Sequence, residues 1–216
     1  MTVPMANKDI LKLFAGYKRF RHKYYEGDST LYQRLSSSPQ TPKVLIIGCS
    51  DSRVDPAIIS SANPGDLFVV RNVANLVPPY ETSEGFHGVS AAIEFAVVNL
   101  QVENVIILGH RQCGGIRALV QGQHKSGTSF VGKWIRMADE VREKVMQRYA
   151  GESEDTLCQH CEKEAIIHSV KNLKTFPFVQ EAINQHRMLI SGVYFDLESG
   201  TLQELDDATG EFRIVE

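Results

Sequence analysis

Features that direct a chain to a membrane or to nucleic acid are missing from this sequence of 216 residues. No stretch approaches the roughly 18 consecutive apolar residues that a membrane-spanning helix requires, so we expect no membrane partner. Lysine and arginine number 23 against 26 aspartates and glutamates, a balance that does not favour nucleic-acid binding. Residues 1–9 lack the basic-then-apolar pattern of a secretion signal. These absences predict a cytoplasmic globular protein.

Cysteine is also scarce, since the chain has four, at positions 49, 113, 158 and 161. With 43% hydrophobic residues the chain can build a core, so it does not need disulfide bonds to fold. In a reducing compartment such thiols more often bind metal, react, or pack in the core as small residues. The first two and the last two cysteines stand in different contexts and need separate interpretations.

Two apolar stretches, residues 44–47 and 105–108, each end in a glycine that is followed by side chains with chemical function. Short apolar runs of this kind are typical of parallel strands that are buried on both faces. Open parallel sheets present functional groups at the carboxyl ends of their strands. If the two strands are neighbours, Cys49 after the first strand meets His110 and Cys113 after the second.

The alternation of strand-like and helix-like segments predicts an α/β fold with a mostly parallel central sheet flanked by helices. We expect about four parallel strands and, in residues 188–205, an antiparallel edge strand or hairpin. Helices are predicted over residues 7–20, 29–35, 56–59, 89–100, 116–121, 134–149, 156–173 and 177–186. The first two helices precede the first strand, so residues 1–38 form a helical arm that packs on its own domain or on a partner subunit. Residues 39–216 form the α/β domain.

Cys49, His110 and Cys113 are candidate metal ligands. Two thiolates and an imidazole suit tetrahedral zinc, and three protein ligands leave the fourth position open, as in catalytic sites. Cys113 precedes a predicted helix, whose N-terminal dipole favours the thiolate. The alternative is that the two cysteines are small core residues and that His110 is an ordinary buried polar group. The convergence of three ligand types on two strand ends favours zinc.

Asp51 and Arg53 follow Cys49 on the same turn. Their spacing allows a bidentate ion pair, which in most proteins is an ordinary loop salt bridge. Beside a metal ligand we interpret the pair as a functional dyad, in which arginine holds a carboxylate that orients a reacting water.

Cys158 and Cys161 form a Cys-x-x-Cys pattern, which can indicate zinc or redox chemistry. A structural zinc site needs a second pair of ligands, and the segment is predicted to be helical, so we expect both thiols to pack in the core. Four scattered histidines are expected at the surface: His22, His87, His124 and His186.

The motifs at residues 49–53 (Cys-Ser-Asp-Ser-Arg) and 109–115 (Gly-His-x-x-Cys-Gly-Gly) resemble the signatures of β-class carbonic anhydrases. The similarity continues through residues 64–75, 91–95, 158–164 and 177–179 and covers about residues 40–205. The resemblance implies reversible hydration of CO2 to bicarbonate and a proton by attack of zinc-bound hydroxide, with one zinc ion per subunit. It also implies a homodimer or a dimer of dimers, in which the N-terminal arm packs on the partner subunit.

The resemblance further implies a substrate pocket at the dimer interface. Its lining would include Gln40, Phe68, Val73, Phe95 and Gly114. Plant-like members often carry tyrosine where this chain has Phe95, so a hydroxyl hydrogen bond to substrate is missing. Bicarbonate-inhibited members carry tryptophan where this chain has Ile46, so we do not expect that regulation.

Two alternative functions remain open at this point. The same scaffold could hydrolyse a related small heterocumulene such as carbon disulfide. The chain could also be a non-catalytic, zinc-binding regulatory relative, although an intact Asp51–Arg53 dyad has no purpose in a protein that only binds zinc.

Overall fold

The structure is a computed structural model that describes residues 6–26, 30–126 and 129–215. The chain divides into two compact units, Met1–Gln40 and Thr41–Glu216. The prediction that residues 1–38 pack on a partner subunit stays a prediction. None of the helices in the described ranges is long and apolar enough to cross a membrane.

The first unit contains two helices, α1 (Ala6–Tyr25) and α2 (Leu31–Ser37). The ring of Tyr32 on α2 stacks on Tyr25 at 5.2 Å between centroids and meets the ring of Phe20 edge-on at 5.2 Å. These aromatic contacts hold the two helices together. The first helix is longer than the predicted 7–20, and residue 29 of the predicted second helix lies outside the described residues.

The second unit is built on one six-stranded sheet in the order β2-β1-β3-β4-β5-β6. The strands are β1 (Val44–Cys49), β2 (Leu67–Asn72), β3 (Asn104–His110), β4 (Leu189–Phe195), β5 (Leu202–Asp206) and β6 (Glu211–Ile214). The first four strands are parallel, and β5 and β6 are antiparallel additions. The predicted α/β fold with about four parallel strands and an antiparallel edge is therefore confirmed, and β6 is an additional strand that the sequence reading missed.

Seven α-helices of the second unit accompany this sheet within the described residues. They are α3 (Pro56–Ser60), α4 (Gly88–Glu94), α5 (Gly114–Val120), α6 (Phe130–Ile135), α7 (Asp139–Arg148), α8 (Glu154–Leu173) and α9 (Pro177–Asn184). Leu45 and Ile47 of β1 and Ile107 of β3 are fully buried in a core shared with α8 and α9. The alternate residues Ile46 and Leu108 are also buried, each 5% exposed, and burial on both faces explains the continuous apolar runs of the two strands.

Two predicted helices have a different form in the structure. The helix expected over 89–100 is α-helical to Glu94 and continues as a π-helical turn at Phe95–Asn99. The helix expected over 134–149 begins at Phe130, and a 3-10 turn at Arg136–Ala138 separates α6 from α7. A π-helical or 3-10 turn moves each backbone hydrogen-bond partner by one residue relative to an α-helix. The apolar pattern of the sequence stays almost unchanged, so its periodicity does not reveal such turns.

The register of the sheet places the functional strand ends side by side. Strand β1 lies between β2 and β3, with Gly48 opposite Leu108 and Cys49 opposite Asn72. The residues that follow β1 and β3 therefore emerge at the same edge, which is where parallel sheets carry their sites.

Candidate metal centre

Cys49, His110 and Cys113 lie together at the carboxyl edge of the sheet. Their potential ligand atoms all lie within 4.8 Å of one another, and the two sulfurs are 3.9 Å apart. The three residues are 5%, 1% and 1% exposed. Within the described residues this is the one group of three histidines, cysteines or carboxylates with metal-binding geometry. Asp51 is not a member of the group.

The imidazole of His110 is oriented by its own turn. Nδ1 lies 2.8 Å from the carbonyl oxygen of Arg111, a geometry in which Nδ1–H donates. Nε2 is then the nitrogen with a free lone pair, and it is buried without a hydrogen-bond partner. A buried polar atom without a partner is costly, and a carbonyl-oriented imidazole is the usual form of a metal-bound histidine. His110 therefore fits a metal ligand.

At this distance the protonation of each thiol affects that of the other. Hydrogen bonding to Cys113 lowers the pKa of Cys49 to about 4, against the opposing effect of burial. The backbone amides of Asp51 and Ala74 act in the same direction on Cys49. The pKa of Cys113 is raised because its proton is shared with Cys49 and because it is buried. The pair thus favours the thiolate on Cys49, and a bound divalent cation would stabilise thiolates on both residues.

Two glycines allow the backbone to approach closely around this cluster. A Cβ added to Gly115 would lie 2.6 Å from Val73 Cγ1, and one added to Gly109 would lie 2.6 Å from Ile166 Cδ1. Both distances are shorter than carbon atoms tolerate, so a side chain at either position would displace Val73 or Ile166. Close packing therefore explains the glycines at positions 109 and 115 of the motif at residues 109–115.

Asp51 and Arg53 form the predicted ion pair. Arg53 Nε donates to Asp51 Oδ1 at 2.9 Å and Nη2 donates to Oδ2 at 2.8 Å, while the amide of Arg53 also donates to Oδ1 at 3.0 Å. These bonds hold the pKa of Asp51 well below its usual range, so the carboxylate is charged. Arg53 is itself oriented, because its Nη2 also donates to the Gln112 carbonyl oxygen at 3.2 Å.

Arg71 fixes the turn between Cys49 and Asp51, a role that the sequence reading missed. From the end of β2, its Nε donates to the carbonyl oxygen of Cys49 at 2.9 Å, and its Nη2 donates to that of Asp51 at 2.6 Å. Its Nη1 pairs with Asp55 at 3.1 Å, and Asp55 in turn caps α3. A single guanidinium thus orders the segment that presents both the thiol and the carboxylate.

Glu162 is a second residue near the cluster that the sequence reading did not single out. It lies on α8 and is 3% exposed. One carboxylate oxygen accepts a hydrogen bond from the amide of Cys113 at 2.9 Å, and the other accepts one from the hydroxyl of Tyr194 at 2.9 Å. Burial raises the pKa of Glu162.

The residues predicted to line a substrate pocket lie in different surroundings. The rings of Phe68 and Phe95 are 5.9 Å apart, and Phe95 is 43% exposed. Val73 follows β2 and accepts a hydrogen bond from Trp134 Nε1 through its carbonyl oxygen at 2.7 Å. Gly114 is exposed at the start of α5, and Gln40 is exposed at the end of the first unit. Their roles toward a substrate stay predictions.

The second cysteine pair is packed inside the second unit. Cys158 and Cys161 on α8 are 2% and 0% exposed, and neither forms a disulfide. Burial raises the pKa of Cys158 to about 11 and that of Cys161 to about 12, so both are neutral thiols at pH 7. This is the environment expected for structural packing.

The predicted surface histidines are only partly at the surface. His22 and His186 are exposed, whereas His87 is half-buried and contacts Ser83. The side chain of His124 lies outside the described part of the chain.

A family model for carbonic anhydrase matches residues 44–202 of this chain. Among curated proteins, Beta carbonic anhydrase 3 of Arabidopsis thaliana is 37% identical over 93% of this chain and 79% of its own length. Beta carbonic anhydrase 5, chloroplastic, of the same plant is 36% identical over 91% of this chain, which spans 64% of that protein.

Solved structures show the same similarity. The β-carbonic anhydrase CcaA superposes with a TM-score of 0.88 and 31% identity, covering 96% of this chain and 100% of CcaA. A structure described among two tetrameric β-carbonic anhydrases of Sordaria macrospora gives a TM-score of 0.73 and 29% identity, covering 93% of this chain and 95% of the other. The similarity thus extends over both the sheet and the segments that carry the candidate ligands.

Proposed function

Because this chain belongs to the β-carbonic anhydrase family, we propose that it catalyses the reversible hydration of CO2 to bicarbonate and a proton. The observation that carries the proposal is the buried, unpartnered Nε2 of His110, together with ligand atoms of Cys49, His110 and Cys113 that all lie within 4.8 Å of one another. These three atoms supply the two thiolates and one imidazole that suit a zinc ion with one open position.

Cys49, His110 and Cys113 would hold one zinc ion per subunit. When bound, zinc acts as a Lewis acid that lowers the pKa of a coordinated water toward neutrality. The two thiolates balance the charge of the cation, so the centre gains no net charge. Buried surroundings strengthen each of these interactions by excluding bulk water.

Asp51 is the group that would orient the attacking water. Its carboxylate is charged and rigid because Arg53 contacts both of its oxygens. Burial lowers the pKa of His110, whereas Cys49 and, to a smaller extent, the negative charge of Asp51 raise it. A fixed carboxylate beside the metal ligands can accept a hydrogen bond from the water and keep a lone pair directed at CO2. Arg53 acts through Asp51.

The substrate would lie against Phe68, Val73 and Phe95, whose apolar surfaces suit CO2. The backbone amide of Gly114 and the side-chain amide of Gln40 would donate hydrogen bonds to bicarbonate oxygens. Because Phe95 has no hydroxyl, it cannot donate to bicarbonate the hydrogen bond that a tyrosine at this position could donate.

We also propose a homodimer or dimer of dimers. Helix α1 exposes large side chains on one face, with Leu13 at 72%, Phe14 at 59% and Tyr17 at 59% exposure. A row of exposed apolar residues is typical of a surface that binds another chain. Similarity to a tetrameric structure supports the same assembly.

We propose a cytoplasmic location from the sequence, although one relative is named chloroplastic, so family membership alone does not decide the compartment.

The test is stopped-flow CO2 hydration with purified protein whose zinc content has been measured. We expect about one zinc ion per chain and a hydration rate that is lost on chelation and restored by added zinc. Absence of zinc-dependent hydration at any pH up to about 9 would refute the proposal. A parallel assay with carbon disulfide separates hydrolysis of that compound from hydration of CO2, and zinc binding without either reaction would indicate a regulatory relative.

A further inference from the structure

Glu162 is a buried carboxylate for which the proposed reaction has no direct use. It lies on α8 directly after Cys161 and is 3% exposed. Burial of a carboxylate is unfavourable unless its oxygens are hydrogen bonded. Its position is therefore explained only by the groups that it contacts.

The two oxygens of Glu162 join two segments of the chain that are far apart in sequence. Oε1 accepts from the amide of Cys113 and Oε2 accepts from the hydroxyl of Tyr194, each at 2.9 Å. Tyr194 lies on β4, opposite Gly109 of β3, and is fully buried. The carboxylate thus ties the turn after β3 to a rigid part of the sheet.

The amide of Cys113 needs this acceptor because of the local backbone. Gln112 has a left-handed conformation with φ of 60°, and Cys113 follows with extended angles as the N-cap of α5. An N-cap amide has no partner inside its helix, whereas its carbonyl oxygen accepts from Arg117 at 2.9 Å. The direction of the Cys113 backbone, and hence the position of its sulfur, therefore depends on Glu162.

We propose that Glu162 is a positioning residue of the metal centre, which holds the Cys113 backbone so that its sulfur stays in the geometry needed for zinc. The inference rests on the proposed zinc site of Cys49, His110 and Cys113. Groups that orient metal ligands typically change metal affinity by about 10- to 100-fold when removed. Glu162 acts through Cys113 and does not touch the reacting atoms.

The test measures zinc dissociation constants by competition with a chromophoric chelator, and absorption spectra of the cobalt-substituted protein. We expect Glu162→Ala to weaken zinc binding by about 10- to 100-fold and to shift the sulfur-to-cobalt charge-transfer band. Glu162→Gln keeps an acceptor for the Cys113 amide and should bind zinc within about threefold of the wild type. Tyr194→Phe removes only the other contact of Glu162 and is the matched control, with the same expected affinity.

A purely structural role would lower thermal stability while leaving the zinc affinity and the cobalt spectrum of the folded protein unchanged, and that result overturns the inference. Equal losses in Glu162→Gln and Glu162→Ala also overturn it. If Glu162→Ala does not fold, Glu162→Leu replaces it, because leucine fills a similar space and has no acceptor for the Cys113 amide. Retained affinity in Glu162→Leu then refutes the inference. Wild-type protein that binds no zinc refutes the proposed function itself, which separates the two failures.

Discussion

The substitution Arg53→Lys tests whether the Asp51–Arg53 pair controls the rate of CO2 hydration. The guanidinium makes two parallel hydrogen bonds to the carboxylate, at 2.9 and 2.8 Å, and a third bond to the Gln112 carbonyl oxygen at 3.2 Å. A lysine ammonium is a point charge that cannot reproduce this fork. The carboxylate of Asp51 would keep its charge and lose its fixed orientation.

The structure separates the effect on stability from the effect on rate. The side chain of Arg53 is 48% exposed, so solvent screens the pair and its loss should cost about 1 kcal/mol or less. A misplacement of about 1 Å in a positioning group can lower a reaction rate by about 10²-fold. We therefore expect Arg53→Lys to fold normally, to bind one zinc per chain, and to hydrate CO2 about 100 times more slowly.

The small stability difference should itself depend on pH. The pKa of Asp51 is lower in the folded protein than its unfolded value of about 3.9, so the pair stabilises the fold above that pH. The contribution is lost as pH falls from about 4 toward the folded pKa. Unfolding free energies of wild type and Arg53→Lys should differ at pH 7, and the difference should shrink progressively as pH falls below about 4.

Stopped-flow hydration and zinc analysis of the same samples provide the measurement. Arg117→Lys is a matched control, since Arg117 is 40% exposed and pairs with Glu154 and Asp155 at a different location. It should retain the wild-type rate. If Arg53→Lys turns over within about threefold of wild type, or loses rate only in proportion to zinc, the proposed role of the pair is wrong.

Three further substitutions test the remaining assignments. Cys49→Ser should lose zinc and hydration together, because a hydroxyl does not replace a thiolate ligand; retention of both removes Cys49 from the site. Asp51→Asn should keep zinc but lower turnover by about 10²-fold, measured by stopped flow, and a normal rate would make the pair merely structural. Cys158→Ala should retain one zinc per chain and cost about 1 kcal/mol of unfolding free energy; halved zinc would instead reveal a second site.

The sequence was informative about those features of the candidate site that leave a local sequence pattern. The apolar runs before Gly48 and Gly109 indicated two buried parallel strands because burial on both faces leaves a local signature. The residues directly after those glycines could then be assigned to one edge of the sheet, and the structure brings Cys49, His110 and Cys113 together there. Asp51 and Arg53 were predictable as a pair because only one residue separates them.

The tertiary structure decided which distant groups support that edge. Glu162 is 49 residues from Cys113, and Arg71 is 22 residues from Cys49, so no local pattern connects them. The π-helical turn at Phe95–Asn99 and the edge strand β6 also escaped prediction, because periodicity is almost blind to helix type and four residues are a short strand signal. The sequence alone therefore determined which chemical groups this protein carries at its strand ends. Only the folded chain decided how their backbones are held, because that depends on hydrogen bonds between segments that packing brings together.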